Sequence, residues 1–273
     1  MPVIAMTQEM GSLAKDIALL LAQSSNLSVM RHEVLEHVAG KMHVPSSLIS
    51  RLREGKAGLV ERFTTDQDRV AVYTAQEVFA LADKGNVVLR GWGATCLLRP
   101  VQHVVTVRVT RSLKARVEWL MGHLETDDEA FAQAEVRRSD DAHASRMHAQ
   151  FGVTWGDPIL YDLVLNTDRL SIETCVAQIQ HLASRPEFQE TEESRAMLAD
   201  LTQNARIRAA LKDHDSTRDI NITIESHGDK VVLSGMVLNA QESAEAARIA
   251  GSVTGHASVD NQLRLISSYR RFV

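Results

Sequence analysis

Short apolar runs alternate with helical patterns along the first two thirds of the chain. Residues 2–7 form an apolar run typical of a buried strand, and residues 11–24 then place leucine and isoleucine at helical spacing. Valine- and leucine-rich runs at 86–92 and 103–110 predict two further strands, and residues 160–166 predict another. Because each strand is followed by a helical pattern, we expect an α/β domain with a parallel sheet flanked by helices.

Capping residues mark some of the helices between these strands. Thr74 and Glu77 have the spacing of a capping box, and Ser112 is placed to cap a helix over 113–124. Residues 126–150 are polar and charged with high helical propensity. We expect this segment to form a helix outside the core.

A different pattern begins after residue 184. The chain is polar and acidic around residues 185–194 and contains Pro186, which predicts a linker. The elements predicted after it are a helix over 197–212, a β-hairpin over 220–237, a helix over 240–253 and a strand over 257–266. This α-β-β-α-β order predicts a small α+β domain. We therefore divide the chain into domains of residues 1–184 and 198–273, joined by a linker of residues 185–197.

The composition excludes several classes of protein. Of the 273 residues, 44% are hydrophobic and 24% are charged, as in ordinary globular proteins. The net charge of −5 gives no basic footprint, so we expect no nucleic-acid binding as the main function. The longest apolar stretch, residues 17–22, is too short to span a membrane, and no basic leader precedes it. We expect a cytoplasmic protein.

The sequence predicts no metal site formed by cysteine or histidine side chains. Cys96 and Cys175 lie far apart and form no CxxC pair. His32 and His37 are five residues apart in a predicted helix, so their side chains point about 140° apart, unlike the i, i+4 pair that binds zinc.

Four segments of the first domain together resemble one family. They are residues 7–12 (TQEMGS), residues 87–94 (VVLRGWGA), residues 107–109 (VRV) with Arg116 in the following helix, and residues 161–167 (YDLVLNT). This combination resembles the cytidylate kinase-like family, which implies a P-loop nucleoside monophosphate kinase fold. Residues 198–271 resemble a BON domain, through ITI at 222–224, VLSG at 232–235 and VDNQL at 259–263.

The kinase resemblance implies a nucleotide site. ATP with Mg²⁺ would supply the γ-phosphoryl group to CMP or a similar nucleoside monophosphate, held by backbone N–H groups at a helix N-terminus and by cations. The catalytic charges would be Lys15 and Arg116. The nucleotide-binding residues would be Gly11, Ser12, Lys15, Arg90, Arg137, Arg138, Arg146 and Asp162, of which the three from the 137–146 segment would form the lid. Structural interpretations compete with these: the lid arginines are also expected on a solvated helix face, and Asp162 is also expected as a backbone cap.

Several positions depart from the family pattern. Leu13 and Ala14 replace residues of the glycine-rich turn, and Asp16 adds a carboxylate beside the expected phosphates. The lid pattern of an acid followed three residues later by arginine falls on Asp140 and His143, which removes a cation. We expect phosphoryl transfer that is absent or far slower than in an ordinary monophosphate kinase.

Two functions remain open at this point. One is a nucleoside monophosphate kinase that uses ATP and Mg²⁺. The other is a degenerate kinase fold that binds a nucleotide without turnover and acts as a sensor or interaction protein through its BON domain. In either case the expected partners are a nucleotide and, at the BON domain, a small ligand or a protein.

Overall fold

A computed structural model describes residues 1–255 and 258–266. The first sheet is wholly parallel and has the strand order β2-β3-β1-β4-β5. Its strands are β1 (Val3–Gln8), β2 (Ser28–Met30), β3 (Val87–Arg90), β4 (Val104–Thr110) and β5 (Leu163–Asn166). The predicted fold class is confirmed, although the three-residue edge strand β2 was not predicted.

Helices cover both faces of this sheet. They are α1 (Ala14–Ser25), α2 (His32–Met42), α3 (Ser46–Arg53), α4 (Leu59–Thr64), α5 (Gln67–Lys84), α6 (Ala94–Leu97), α7 (Leu113–Leu124), α8 (Glu129–Phe151) and α9 (Ile172–Ala183). Alternate residues of β1 point to opposite sides: Val3 and Ala5 pack with α2 and α5, whereas Ile4 and Met6 pack with α1 and α9. This burial on both faces is why the strands are continuous apolar runs in the sequence.

The helix predicted from a capping box at Thr74 begins earlier than expected. The cap of α5 is Asp66, whose carboxylate accepts hydrogen bonds from the N–H groups of Asp68 and Arg69 at 3.0 and 3.1 Å. Thr74 is buried inside the helix, and Glu77 pairs with His37 at 3.1 Å. Thr74 and Glu77 thus have the spacing of a capping box without forming one, because Asp66 caps the helix two turns earlier.

The polar segment predicted to lie outside the core is partly buried. It forms α8, and its Ala132 and Val136 are fully buried against Val117 and Leu120 of α7. The prediction was wrong here because two small apolar residues four apart are enough to bury one stripe of an otherwise charged helix.

The second sheet confirms the predicted α-β-β-α-β order. Its elements are α10 (Glu192–Asp213), β6 (Ile222–His227), β7 (Lys230–Val237), α11 (Ala240–Thr254) and β8 (Ser258–Leu265). Strands β6 and β7 form an antiparallel hairpin, and β8 pairs parallel to β7. Residue 257, predicted to open the last strand, lies outside the described residues.

Helix α10 occupies part of the predicted linker. It begins at Glu192 because Thr191 and Ser194 exchange backbone and side-chain hydrogen bonds in a capping box. Its Leu198, Ala205 and Ala209 pack into the same core as α5, whereas its Ile207 and Leu211 pack into the core of the second sheet. One helix is thus shared by both cores, and the limits of the two domains stay a prediction.

In the described part of the chain, no helix is both long enough and apolar enough to cross a membrane.

Candidate functional site

A cleft of about 680 Å³ opens where β1 and β3 end, at the carboxyl edge of the parallel sheet. Ligands of open α/β folds bind at this edge, because the loops that follow the strands converge there. The structure brings several of the predicted site residues together in its wall, namely Gly11, Ser12, Lys15 and Arg90. Leu13, Ala14 and Asp16 also line it.

The turn between β1 and α1 exposes a run of backbone N–H groups although few of its residues are glycine. Leu13 caps α1 in the left-handed conformation, at φ 63° and ψ 13°. Within the described residues, the N–H groups of Gly11, Leu13, Ala14 and Lys15 have no hydrogen-bond partner. Such a run of open donors at a helix N-terminus is suited to binding an anion.

Gly11 is required by close packing as well as by its φ of 78°. A Cβ atom at this position would lie 3.1 Å from the Trp119 ring and 3.2 Å from the Arg116 backbone. Behind the turn, the carbonyl of Ser12 accepts a hydrogen bond of 3.0 Å from the Thr167 hydroxyl, while the buried Ser12 hydroxyl has no partner among the described residues. The turn is held from the protein side and open toward the cleft.

The charges at the turn are of both signs. Lys15 and Asp16 are exposed, and neither has an ion-pair partner in the described part of the chain. Lys15 can therefore turn toward an anion in the cleft. The negative charge of Asp16 offsets the positive charge of Lys15, so the two side chains together add no net charge to the turn.

Arg90 projects from the end of β3 into the cleft. It is 7% exposed and donates one hydrogen bond of 3.2 Å to the Gln8 side chain. Its buried Nε has no partner within the described residues. Burial, and then the nearby charge of Arg31, lower the pKa of Arg90 to about 10. Among the described residues no carboxylate forms an ion pair with this guanidinium, and an anionic ligand would stabilise a buried cation in that state.

Two further arginines, Arg31 and Arg53, line the cleft and were not predicted as part of the site; they are called the basic wall below. Gly91, Trp92 and Gly93 follow β3 with positive φ values of 86°, 61° and 69°. Trp92 is held in this conformation by the Arg53 guanidinium, 3.4 Å above its ring, and by an N–H bond of 3.0 Å to the carbonyl of Arg31. Burial and the neighbouring Arg146 hold the pKa of Arg53 well below its usual range.

Arg116 is not a free cation of the cleft. It is buried, and its two terminal nitrogens bind the two carboxylate oxygens of Asp140 at 2.9 Å each. Its Nε donates to the carbonyl of Arg111 at 3.1 Å. Burial raises the pKa of Asp140, while the same arginine opposes this shift. The pair joins α7 to α8.

Glu9, which follows β1, is equally engaged. One oxygen accepts from Arg108 at 2.7 Å, and the other accepts from the Thr110 hydroxyl at 2.7 Å and from the Arg111 N–H at 3.1 Å. These bonds leave it little capacity for a ligand.

The predicted lid arginines lie on α8 outside the cleft wall. Arg138 binds Glu135 and the carbonyl of Glu54, at 2.6 Å each, and Arg146 donates to the carbonyl of Arg53. Arg137 is exposed and has no partner in the described ranges. Two other residues of this helix, Ser139 and His143, line the cleft. The His143 ring stacks on the Trp155 ring, with their centroids 4.8 Å apart. Burial and the surrounding arginines lower the pKa of His143 to about 3, so it is neutral near pH 7.

Asp162 lies away from the cleft and caps backbone groups. One of its oxygens accepts from both the N–H and the hydroxyl of Thr106, at 2.7 and 2.6 Å. Thr106 is level with Ala5 in the sheet, three residues before β1 ends. At about 3.3 Å per residue, Asp162 is some 10 Å from the carboxyl edge.

The cleft gives a divalent cation little support from the protein. Among residues 1–255 and 258–266, no three His, Cys, Asp or Glu side chains lie close enough to hold a metal ion. Asp16 is the carboxylate that would reach an ion at the turn. Magnesium commonly binds through one or two carboxylates, water and the phosphates of its nucleotide, which this cleft permits.

A sequence comparison identifies the first domain. The sequence pattern of the cytidylate kinase-like family matches residues 3–169. The chain belongs to the cytidylate kinase-like family. Residues 199–267 match the BON domain.

A curated relative supports the second match. A 61-residue segment is 34% identical to osmotically-inducible protein Y of Escherichia coli K12. The matched segment is 22% of this chain, and it spans 30% of that protein's length.

Solved structures are similar to the larger part of this chain. A protein of Eubacterium ventriosum is similar over 68% of this chain and 100% of its own, at 19% identity and a TM-score of 0.53. Shikimate kinase from Bacteroides thetaiotaomicron covers 67% of this chain and 99% of its own, at 17% identity and a TM-score of 0.40. At this identity the likeness to the first structure concerns the fold alone.

Proposed function

We propose that this member of the cytidylate kinase-like family binds a nucleoside triphosphate at the turn from Gly11 to Lys15 and transfers its phosphoryl group slowly or not at all. The observation that carries the proposal is the row of open N–H groups that follows β1 and begins α1. These donors persist because Leu13 adopts the left-handed conformation that glycine would supply. The turn therefore keeps its shape for an anion.

Two cations support binding of the phosphates. Lys15 is exposed beside the open N–H groups, and Arg90 enters the cleft from the next strand with an unpartnered nitrogen. A hydrogen bond between charged groups contributes about 1.5–3 kcal/mol, so either cation has a measurable effect on affinity.

Slow transfer follows from the state of the other expected charges. The guanidinium of Arg116 is bound to Asp140, and His143 is neutral. Phosphoryl transfer depends on cations that neutralise the migrating group, and the loss of one preorganised stabiliser commonly costs about 10²–10³ in rate. Magnesium would supply positive charge between the phosphates when it arrives with the nucleotide.

The alternative is an active kinase for CMP or a similar monophosphate. The family match favours it, and so does the basic wall of Arg31 and Arg53 across the cleft from the turn, where the phosphate of an acceptor would be attracted. Release of ADP from ATP and Mg²⁺ in the presence of CMP, dCMP, UMP or AMP separates the two functions. We expect turnover well below 1 s⁻¹; turnover of roughly 1 s⁻¹ or more that disappears in Lys15→Ala would establish the kinase.

Binding itself is tested by titration calorimetry with ATP, CMP and AMP, each with Mg²⁺. We expect Lys15→Ala to weaken ATP binding about 10- to 100-fold, the equivalent of one charged hydrogen bond. Lys114→Ala is the matched control, because Lys114 is an exposed lysine whose partner is Glu118 at 3.9 Å. Equal ATP affinity of the wild type and Lys15→Ala at low salt would move the site away from the turn.

The BON domain is proposed to bind a small ligand or a protein and to respond to the occupied cleft. The support is helix α10, which belongs to both cores. Hydrogen exchange of β6, β7 and β8 with and without ATP tests the response. Slower exchange with ATP is expected, and unchanged exchange at saturating ATP would separate the two functions.

A further inference from the structure

A stacked aromatic pair lies beside the phosphate turn and has no assigned role. The rings of Trp119 and His123, one helical turn apart on α7, lie 4.9 Å apart and within 9° of parallel. Both side chains line the cleft. The Trp119 ring contacts Gly11 so closely that even a Cβ there would be 3.1 Å from it. The pair is therefore fixed against the first residue of the turn.

Of the three tryptophans, Trp92 and Trp119 line the cleft and Trp155 stacks on His143 in its wall, but Trp92 and Trp155 have structural partners. The Trp155 N–H donates to the Thr7 hydroxyl at 3.0 Å, and the Trp92 N–H donates to the carbonyl of Arg31. Within the described residues the N–H of Trp119 has no partner, and its ring is only half-buried. His123 is exposed to solvent.

We propose that Trp119 and His123 form the platform on which the base of the bound nucleotide stacks. This inference rests on the proposed binding of phosphates at the turn, and it names the ligand more narrowly as a nucleotide with its base rather than a polyphosphate or a phosphorylated sugar. Flat, parallel rings at the mouth of a cleft suit stacking, which every base accepts. Because stacking reads no base edges, ATP and GTP should bind with similar affinity.

The test compares three ligands in titration calorimetry: ATP, GTP and inorganic tripolyphosphate, each with Mg²⁺. We expect Trp119→Leu and His123→Ala to weaken ATP and GTP about tenfold or more and to leave tripolyphosphate unchanged. Lys15→Ala should weaken all three. His148→Ala, an exposed histidine of α8 outside the cleft wall, is the control and should change none.

The outcomes separate the inference from the function on which it rests. If Lys15→Ala weakens ATP binding while both aromatic variants leave it unchanged, the stacking platform is wrong and phosphate binding at the turn is supported. If the aromatic variants weaken tripolyphosphate as much as ATP, their effect is on the turn and the platform is again wrong. If Lys15→Ala leaves ATP binding unchanged, the turn is not the site and both fail.

A spectroscopic measurement covers the case in which Trp119→Leu does not fold. ATP should quench the tryptophan fluorescence of the wild type, tripolyphosphate should quench it much less, and the conservative Trp119→Phe variant should lose the ATP-dependent part while it retains most of the affinity. Quenching by ATP in Trp119→Phe as large as in the wild type would overturn the platform.

Discussion

At the scale of single residues, Leu13 has the most instructive conformation. A leucine in the left-handed region costs about 1–2 kcal/mol relative to the same residue in a right-handed helix. The surrounding structure must impose this conformation, since Leu13 accepts the first hydrogen bonds of α1 while Gly11 before it is fixed by Trp119. Backbone strain retained beside a cleft is one reason for the proposal that this turn binds a ligand.

Substitution of Leu13 measures this strain. Leu13→Ala keeps the unfavourable φ, and Leu13→Gly removes it, so we expect the glycine variant to be more stable than the alanine variant by about 1 kcal/mol. Urea unfolding of the two variants is the measurement. Alanine equal to or above glycine would mean that residue 13 is not left-handed in solution.

His143 makes a prediction about pH. Its folded pKa is lowered to about 3, below the ordinary value near 6.5, so between these values the unfolded chain binds more protons than the folded chain. Stability therefore falls as the pH falls through this window, by about 2 kcal/mol from this residue between pH 7 and pH 5.

The measurement is the free energy of unfolding of wild type and His143→Phe at pH 7 and pH 5. Phenylalanine keeps the stack on Trp155 and removes the titration, so the variant should lose less stability on acidification. His148→Phe, on the exposed face of the same helix, should behave like the wild type. An equal loss in wild type and His143→Phe would show that folding does not lower the pKa of His143.

At the scale of elements, α7 and α8 are joined by the ion pair of Arg116 and Asp140. Their side chains are 7% and 26% exposed, and the contact is bidentate. Such a pair positions the two helices and engages both terminal nitrogens of Arg116, the residue that the sequence suggested as a catalytic charge. An element contact thus determines what a residue can do chemically.

A double-mutant cycle tests this contact. Arg116→Ala and Asp140→Ala should couple by about 1–3 kcal/mol in the free energy of unfolding. The exposed pair of Lys114 and Glu118 on α7 should couple by less than about 0.5 kcal/mol. If the Arg116 cycle gave no more coupling than this control pair, Arg116 would be free to act in the cleft.

The elements also show what a sequence can predict. Helix α7 was predicted with its observed bounds because Ser112 caps it locally. The turn after β1 could be proposed as a site from the sequence because strand, turn and helix are contiguous. The contacts of Arg53 with Trp92 and of Arg116 with Asp140 could not be predicted. The partners are 39 and 24 residues apart in the chain and meet only in the folded protein.

At the scale of the whole molecule, α10 ties the two sheets together. Tyr73 of α5 donates to Asp213 at the end of α10 at 2.7 Å, and Lys41 of α2 donates to the same carboxylate at 2.7 Å. At the other end of α10, His103 and the Ser194 hydroxyl are 2.7 Å apart. Polar contacts at both ends and apolar packing between them fix this helix on the first domain.

We expect the two domains to unfold together. The tryptophans lie in residues 1–184, so their fluorescence reports the first domain, while Leu233 is fully buried in the second. Leu233→Ala should destabilise its own core by about 2–5 kcal/mol and lower the midpoint of the tryptophan-monitored urea transition as well. An unchanged tryptophan transition, with cleavage between residues 184 and 191 yielding two folded fragments, would establish independent domains instead.

The shared helix sets a rule for building chimeras from this chain. The match to the BON domain begins at residue 199, inside α10, so a transplant cut at that point would divide the helix after its first third. It would also export Ala205 and Ala209, which belong to the core of the donor's first domain. The unit to transfer is therefore the whole of α10 together with the second sheet. The recipient protein must provide an apolar groove for the face of α10 that packs on the first domain here.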